Sequence, residues 1–452
     1  MHLNGAAEPL VTASIPQDIY TSATVGMTWG QFTCIASGPV DGEQTLSMAF
    51  FSSSVPTSAV TVNLPSPITV TGSSMALSLD LLVSQSAIIG SCLNVDGFTG
   101  YSLTPTFNLT PLSLSSSPTN AGNGKVTGME GMIVSLNSGG NGFTLSVPEG
   151  QYVTRTLSVT SNSTTVFQQA VTSFSALSAG MFVNMDGGLQ PDGSLLATRI
   201  AVEDPSAINV LTGSLMQVAA QVPNLTVFGR QQQGPLLEPG APGAPNGTYW
   251  QDGAYFIFSG AVFQISGRLA NLQTLPFSPS FSASNMVAGQ NIDVSTASNL
   301  TLAGPNYTPA NTITLIPQAI DATVAGSSTS GDFTDYTVTL APYDLFPALA
   351  VQQGQTTLLN NPSQVEVYVD SNTQMLNTQP LAAGGTLRFY GLVFNDNGTL
   401  RMDCAQVSDG VAFTPQPSAS QQAHMEKSAV QQIRRQNSGS LQQSISVITN
   451  RP

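Results

Sequence analysis

Catalysis by histidine needs an imidazole held on a rigid scaffold, and this chain has two histidines, His2 and His424, both in terminal segments. That placement argues against Ser/His/Asp hydrolysis, Cys/His nucleophilic catalysis and the common zinc sites. Paired carboxylates are the remaining route to acid–base chemistry, and Glu203 with Asp204 and Asp332 with Asp335 are the nearest candidates. Their places at a repeat end and in loops read better as solvated turn residues. PDGS and NDNGT, at Pro191 and Asn395, resemble fragments of a calcium loop but lack its full ligand spacing and its distant glutamate. Hairpin turns call for the same residues. No P-loop or dinucleotide fingerprint occurs. The expectation is therefore a chain with no catalytic residue, no cofactor-binding residue and no metal ligand, and not an enzyme.

The three cysteines, Cys34, Cys92 and Cys404, show no CxxC and no metal-ligand spacing. A Cys34–Cys92 disulfide in an oxidising compartment and three small buried apolar side chains are both open readings.

Composition points to exported β-structure. Only 8% of the 452 residues are charged and 41% are hydrophobic, and Ser, Thr, Asn, Gln and Gly fill the polar positions. That hydrophobic content supplies packed cores, and the length suits three or four domains. The net charge of −14 speaks against nucleic acid as a partner, because phosphate binding needs clustered Lys and Arg. Up to residue 413 there are 7 basic and 24 acidic residues; beyond it there are 4 basic and 1 acidic, so the tail opposes the body in charge. The longest apolar run, Met75 to Ile89, is interrupted by Asp80, Ser84, Gln85 and Ser86, so no transmembrane segment is expected. Met1 to Leu10 lacks the basic start and apolar core of a signal peptide.

Three segments are self-similar: LSAGMFVNMDGGLQPDGSLLATRIAV from Leu177, MVAGQNIDV from Met286 with its closing TITLIPQAI, and LAAGGTLRFYGLVFNDNGTLRMDCAQV ending at Val407. After Gly180, Gly289 and Gly384, apolar residues alternate at equal offsets: Val183 and Met185, Ile292 and Val294, Leu387 and Phe389. That is the periodicity of a strand. The copies open with VTG at Val126, LTG at Leu211 and VAG at Val324, followed by β-rich runs Phe143–Val147, Leu225–Phe228 and Tyr336–Leu340. Five or six short strands per copy predict a small closed or partly open barrel. The expected organisation is all-β: a partial β-sandwich over 1–120, barrel repeats over 124–204, 208–322 and 323–410, and a linker and flexible tail over 414–452.

The middle copy carries an insertion, GPLLEPGAPGAPNG from Gly234 to Gly247, that cannot join a ladder. Tyr249 and Trp250 follow it. They are the candidate contact for a surface glycan or a protein partner, against the plainer reading of a variable loop with Trp250 capping the barrel. In the tail, Ala423 to Gln436 could form a short helix, and SISVIT at Ser444 offers a lone strand. Its Ile445 and Val447 are candidates for a strand donated to an edge, against the plainer reading of disorder.

The pattern of aliphatic-x-Ala-Gly, alternating strand, Asp-Gly or Asn-Gly turn and closing strand resembles an uncharacterised small-barrel repeat family of exported bacterial proteins. In that family the repeats often follow an uncharacterised β-sandwich domain. IPQDIYTSATV from Ile15, SLDLLVSQSAIIG from Ser78 and YSLTPTFNL from Tyr101 are similar to the latter half of that sandwich. The resemblance implies an extracellular or cell-surface location, with the export signal and the opening strands missing or removed from this chain. It implies no site residues. The functions expected are a structural protein that self-associates through strand or tail exchange or, alternatively, a binding module for polysaccharide or another surface protein.

Overall fold

The computed structural model describes residues 15–27, 30–40, 43–53, 58–71, 76–81, 87–89, 101–103, 106–112, 124–150, 153–219, 223–233, 251–267, 272–300, 307–341, 344–350, 359–377 and 379–410. The fold is all-β. Contacts divide the chain into two units, with 13–112 in one and 113–410 in the other.

In 13–112, strands β1 (Ile19–Met27) and β4 (Ser58–Thr69) form one antiparallel ladder, and β5 (Ala76–Leu81) and β8 (Phe107–Leu112) form another. Val62 from the first ladder and Phe107 and Leu109 from the second share one apolar cluster, with Val25, Val60 and Leu79 packed against it. Sharing a core between two ladders is how sandwich layers are held. Two further pairs, β2 (Gly30–Val40) with β3 (Glu43–Ser53) and β6 (Ala87–Ile89) with β7 (Tyr101–Leu103), complete the described part.

In 113–410 the same five-strand connectivity occurs three times. The first sheet uses β9 (Lys125–Leu136), β10 (Gly142–Gly150), β11 (Val153–Thr160), β13 (Phe182–Leu189) and β14 (Leu195–Val202), with a short edge strand β12 (Val166–Gln169). The first strand pairs with the second and the fourth, the second with the third, and the fifth lies antiparallel to the fourth. A parallel contact of β11 with β14 closes the ring, and β12 adds in parallel to β14.

The second barrel repeats this with β15 (Asn209–Ala219), β16 (Asn224–Gln233), β17 (Gln251–Ile257), β18 (Val262–Ile265) and β19 (Asn291–Thr296). Its fifth strand is interrupted: β20 (Thr308–Pro309) closes on β17 and β21 (Thr312–Leu315) pairs with β19. The third barrel uses β22 (Gln318–Ser330), β23 (Phe333–Leu340), β24 (Gln364–Val369), β25 (Gln374–Met375), β26 (Thr386–Asp396) and β27 (Thr399–Asp409), closed by β24 against β27. This is the connectivity of the oligonucleotide/oligosaccharide-binding fold, a five-stranded, partly open barrel, with β12, β18 and β25 as short strands added at the end of each sheet.

The repeat glycine fixes the common geometry. Gly180, Gly289 and Gly384 all have positive φ, at 89°, 103° and 83°, a region a side chain disfavours. Each donates its N–H over 2.8 Å to the first strand, to the carbonyls of Ile133, Leu215 and Val324. Each following residue accepts a bond back from the same three positions. The opening triplets do not share that equivalence. Val324 is itself the residue bonded by the glycine, Leu211 lies four residues before its counterpart, and Val126 lies seven before Ile133. Strand β22 also begins at Gln318, so 318–322 belongs to the third sheet rather than to the end of the second repeat. Pro317, with no N–H to give a ladder, marks the crossing.

The inward residues named by their alternation fill the cores: Val183 and Met185 in the first, Ile292 and Val294 in the second, Leu387 and Phe389 in the third. The turn at Asn397 and Gly398 has φ of 51° and 91°, the doubly left-handed form that lets β26 and β27 pair without splaying.

Candidate functional site

The three barrels are joined by two seams of opposite chemistry. Between the second and third, the outward residues Leu392 and Phe394 of β26 are buried within the second barrel's core cluster. Phe277 packs edge-on against Phe394 at 5.7 Å, and Arg401 lies over the Phe277 ring at 5.3 Å. In return, Val287 of the second barrel joins the third barrel's core, beside Phe346 of that barrel's own short helix α1 (Leu345–Ala350). A Cβ on Gly289 would lie 2.6 Å from the Phe346 ring, so the repeat glycine here also admits that ring. Two buried glutamines complete the seam. Gln290 donates to the Val393 carbonyl at 2.9 Å, and Gln318 donates to the Gly289 carbonyl at 2.9 Å while accepting from the Asn291 N–H.

Between the first and second barrels the seam is polar. Glu203 follows β14, and its carboxyl is drawn into a small cleft lined by Phe182, Asp204, Val210, Asp293, Ser295, Thr312 and Thr314. Asn184 on β13 donates to Glu203, and Arg199 donates to Asn184 at 2.8 Å while pairing with Asp186 at 2.8 Å. From the second barrel, Asp293 on β19 is 3% exposed and accepts from Thr212 at 2.5 Å. Thr212 also reaches Glu130 of β9 at 3.2 Å, and Gln232 donates to the same Glu130 oxygen. Burial and then the Asp293 charge push the Glu203 carboxyl well above the usual carboxylate range, outweighing the Thr314 hydrogen bond and Arg199.

Its neighbour Asp204 goes the other way. Burial raises it, but hydrogen bonds from Ser206, from Ser295 at 2.6 Å and from Asn311 at 2.6 Å outweigh burial and hold its pKa below the ordinary value. Two adjacent acids with pKa values pushed apart are the electrostatic signature of an acid–base pair. The cleft, however, has room for about one water molecule and not for a sugar ring or a peptide. The arrangement can hold a proton across the seam and clamp the linker at 203–207 to the second barrel.

Reading Glu203 and Asp204 as solvated turn residues is therefore corrected, because both are inter-barrel contacts. Asp332 and Asp335 are not a pair of loop acids either. Asp332 is exposed in the turn after β22, whereas Asp335 sits on β23, half-buried, with its pKa raised by burial and by Glu366 and lowered by Arg401. The residue missed by sequence reasoning is Asp293. Its signal was present: four residues after each repeat glycine stands an outward polar residue, Asn184, Asp293 and Arg388, opposite Glu130, Thr212 and Asp321. In the third barrel that pair is an ion pair of 3.0 Å.

Cys404 is a free, buried thiol. Cys34 lies on β2, while Cys92, Tyr249, Trp250, Ile445, Val447, His2 and His424 lie outside the described residues. Among the described residues there is no cluster of three metal-ligating side chains, and no helix is long and apolar enough to cross a membrane.

The fold and seams define a sheet-rich protein of fused small barrels. Residues 130–201, within the first barrel, match the family described as a domain of unknown function (DUF5666), so the chain contains such a domain. No curated protein matches the chain. Among solved structures it is similar to the single-stranded DNA binding protein from Thermus aquaticus, at 14% identity over 47% of this chain and 98% of that one. The TM-score is 0.15, and at that value the likeness carries no argument.

Proposed function

We propose that this is a non-enzymatic structural protein of the bacterial cell surface or extracellular space that self-associates, in which the second and third barrels act as one stiff element. The observation that carries the reading is the seam between the second and third barrels. Leu392 and Phe394 are built into the neighbouring core, so these barrels cannot move as beads on a string. The low charge and the two lysines, Lys125 and Lys427, agree with a surface on which the usual charged guards against association are sparse. Residues 414–452, with their opposing charge and the Ile445–Val447 strand pattern, are the proposed exchange element.

The test is sedimentation velocity of the full-length protein at two concentrations with negative-stain electron microscopy, repeated after deleting 414–452. Oligomers or filaments that the deletion abolishes support the reading. A monomer at both concentrations removes self-association from it.

A binding module for a surface polysaccharide is the second reading. Tyr255 on the outer face of β17 and Tyr307, just before β20, are 37% and 36% exposed and meet edge to face at 5.8 Å. Exposed tyrosines suit stacking against a neutral sugar. A glycan array comparing the wild type with a Tyr255→Ala/Tyr307→Ala double variant decides it, and no wild-type binding counts against it.

A further inference from the structure

We propose that the seam between the first and second barrels is a proton-dependent latch, closed while Glu203 and Asp293 share one proton and loosened when it leaves. The latch does not depend on how the protein is used.

A carboxylate only accepts hydrogen bonds. Glu203 accepts from Asn184 and from Thr314, and Asp293 accepts from Thr212. The two carboxyls line the same small cleft, and a hydrogen bond between them requires a hydrogen on one of them. The nearest cation does not replace it. Arg199 directs Nε and Nη2 at Asp186 and Nη1 at the Asn184 oxygen, so its guanidinium is committed within the first barrel.

The other charged groups around the pair make loss of the proton costly. Asp186 and Arg199 from β13 and β14 form a closed ion pair. Glu130 from β9 touches the Asp293 hydroxyl partner Thr212, and Asp204 on the linker carries a charge held by Ser206, Ser295 and Asn311. A second charge on the pair would thus join the Asp204 carboxylate already in the seam, close to Glu130, in a cleft with room for about one water molecule. One barrel contributes Glu203 and Glu130 and the other Asp293, so the repulsion acts across the seam and favours its opening.

The sign follows from linkage. Glu203 is raised above its ordinary value of 4.5 in the folded protein. Its contribution is complete below that value and is lost as pH rises through the raised pKa.

The test uses the full-length protein. Infrared difference spectra report the carbonyl stretch of a protonated carboxyl. Hydrogen–deuterium exchange of peptides spanning Val202–Ser214, corrected for intrinsic exchange rates, is followed from roughly pH 5 to pH 9. Protonated-carboxyl intensity at neutral pH is expected in the wild type and reduced in Glu203→Gln and in Asp293→Asn. Seam exchange in the wild type should accelerate with pH by about tenfold more than in Glu203→Gln, whose amide donates to Asp293 at every pH. Wild-type and variant spectra that coincide in the carboxyl region, or seam exchange with the same pH dependence in both, overturn the latch. Should Glu203→Gln fail to fold, Asp293→Asn decides on the same two readouts.

Discussion

Replacing Phe394 by alanine tests whether two barrels share one core. Phe394 is 1% exposed and belongs to the third barrel by chain, yet it packs among the second barrel's core residues and meets Phe277 at 5.7 Å and 65°. Removing a buried phenylalanine costs about 3–5 kcal/mol, from lost transfer energy and the cavity left behind. Loss of the edge-on ring pair adds about 1 kcal/mol to that class of effect. For a cooperative body of this size, a destabilisation of that order lowers the melting temperature by roughly 10 °C. The decisive assay is calorimetry combined with hydrogen exchange resolved to each barrel. The shared core predicts that protection falls in both Leu211–Leu215 of the second barrel and Ile320–Val324 of the third. A loss below about 1 kcal/mol, or one confined to the third barrel, would refute the reasoning.

Three further outcomes follow from individual residues. Asp403 is 6% exposed with one carboxylate oxygen lacking a partner, and burial followed by the Asp370 charge raises its pKa to about 7. Its stabilising contribution is present in acid and lost as pH rises through about 7, so Asp403→Asn should raise stability at about pH 8 by at least about 1 kcal/mol and leave it unchanged at about pH 4, measured by urea unfolding. Gly391→Ala should cost about 3 kcal/mol or more in the same assay, because its Cβ would lie 1.9 Å from the Asp403 carbonyl oxygen at the β26–β27 bulge. Cys404 is buried and burial pushes its thiol pKa up, so a thiol reagent should leave it unmodified in the native protein and modify it only after unfolding, as read by mass spectrometry of its peptide.

What could be read from sequence is what strand physics writes locally. The repeat glycines marked a recurring position before a strand, and the structure gives its reason, since all three adopt positive φ. The two-residue alternation after them named core residues correctly because successive strand residues face opposite sides. The runs at Phe143, Leu225 and Tyr336 all proved to be second strands for the same reason. Burial of the outer faces was not legible in the same way. Leu392 and Phe394 look like ordinary strand apolars, and nothing local distinguishes a residue facing its own barrel from one facing a neighbour. Glu203 looked solvated because it ends a repeat, but in a fused array the end of one repeat is the start of a seam. Asp293 could have been found from the outward polar position shared with Asn184 and Arg388, had the intervening residues been weighed as well as the apolar ones.

Two unlike seams join the barrels, and native-state hydrogen exchange of the full-length protein compares them directly. Slow-exchanging amides of the second and third barrels should report one common opening free energy, with the first barrel opening separately and more readily as pH rises. Three independent openings, one for each barrel, would contradict the fused core. A single opening across all three, unchanged with pH, would contradict the polar seam.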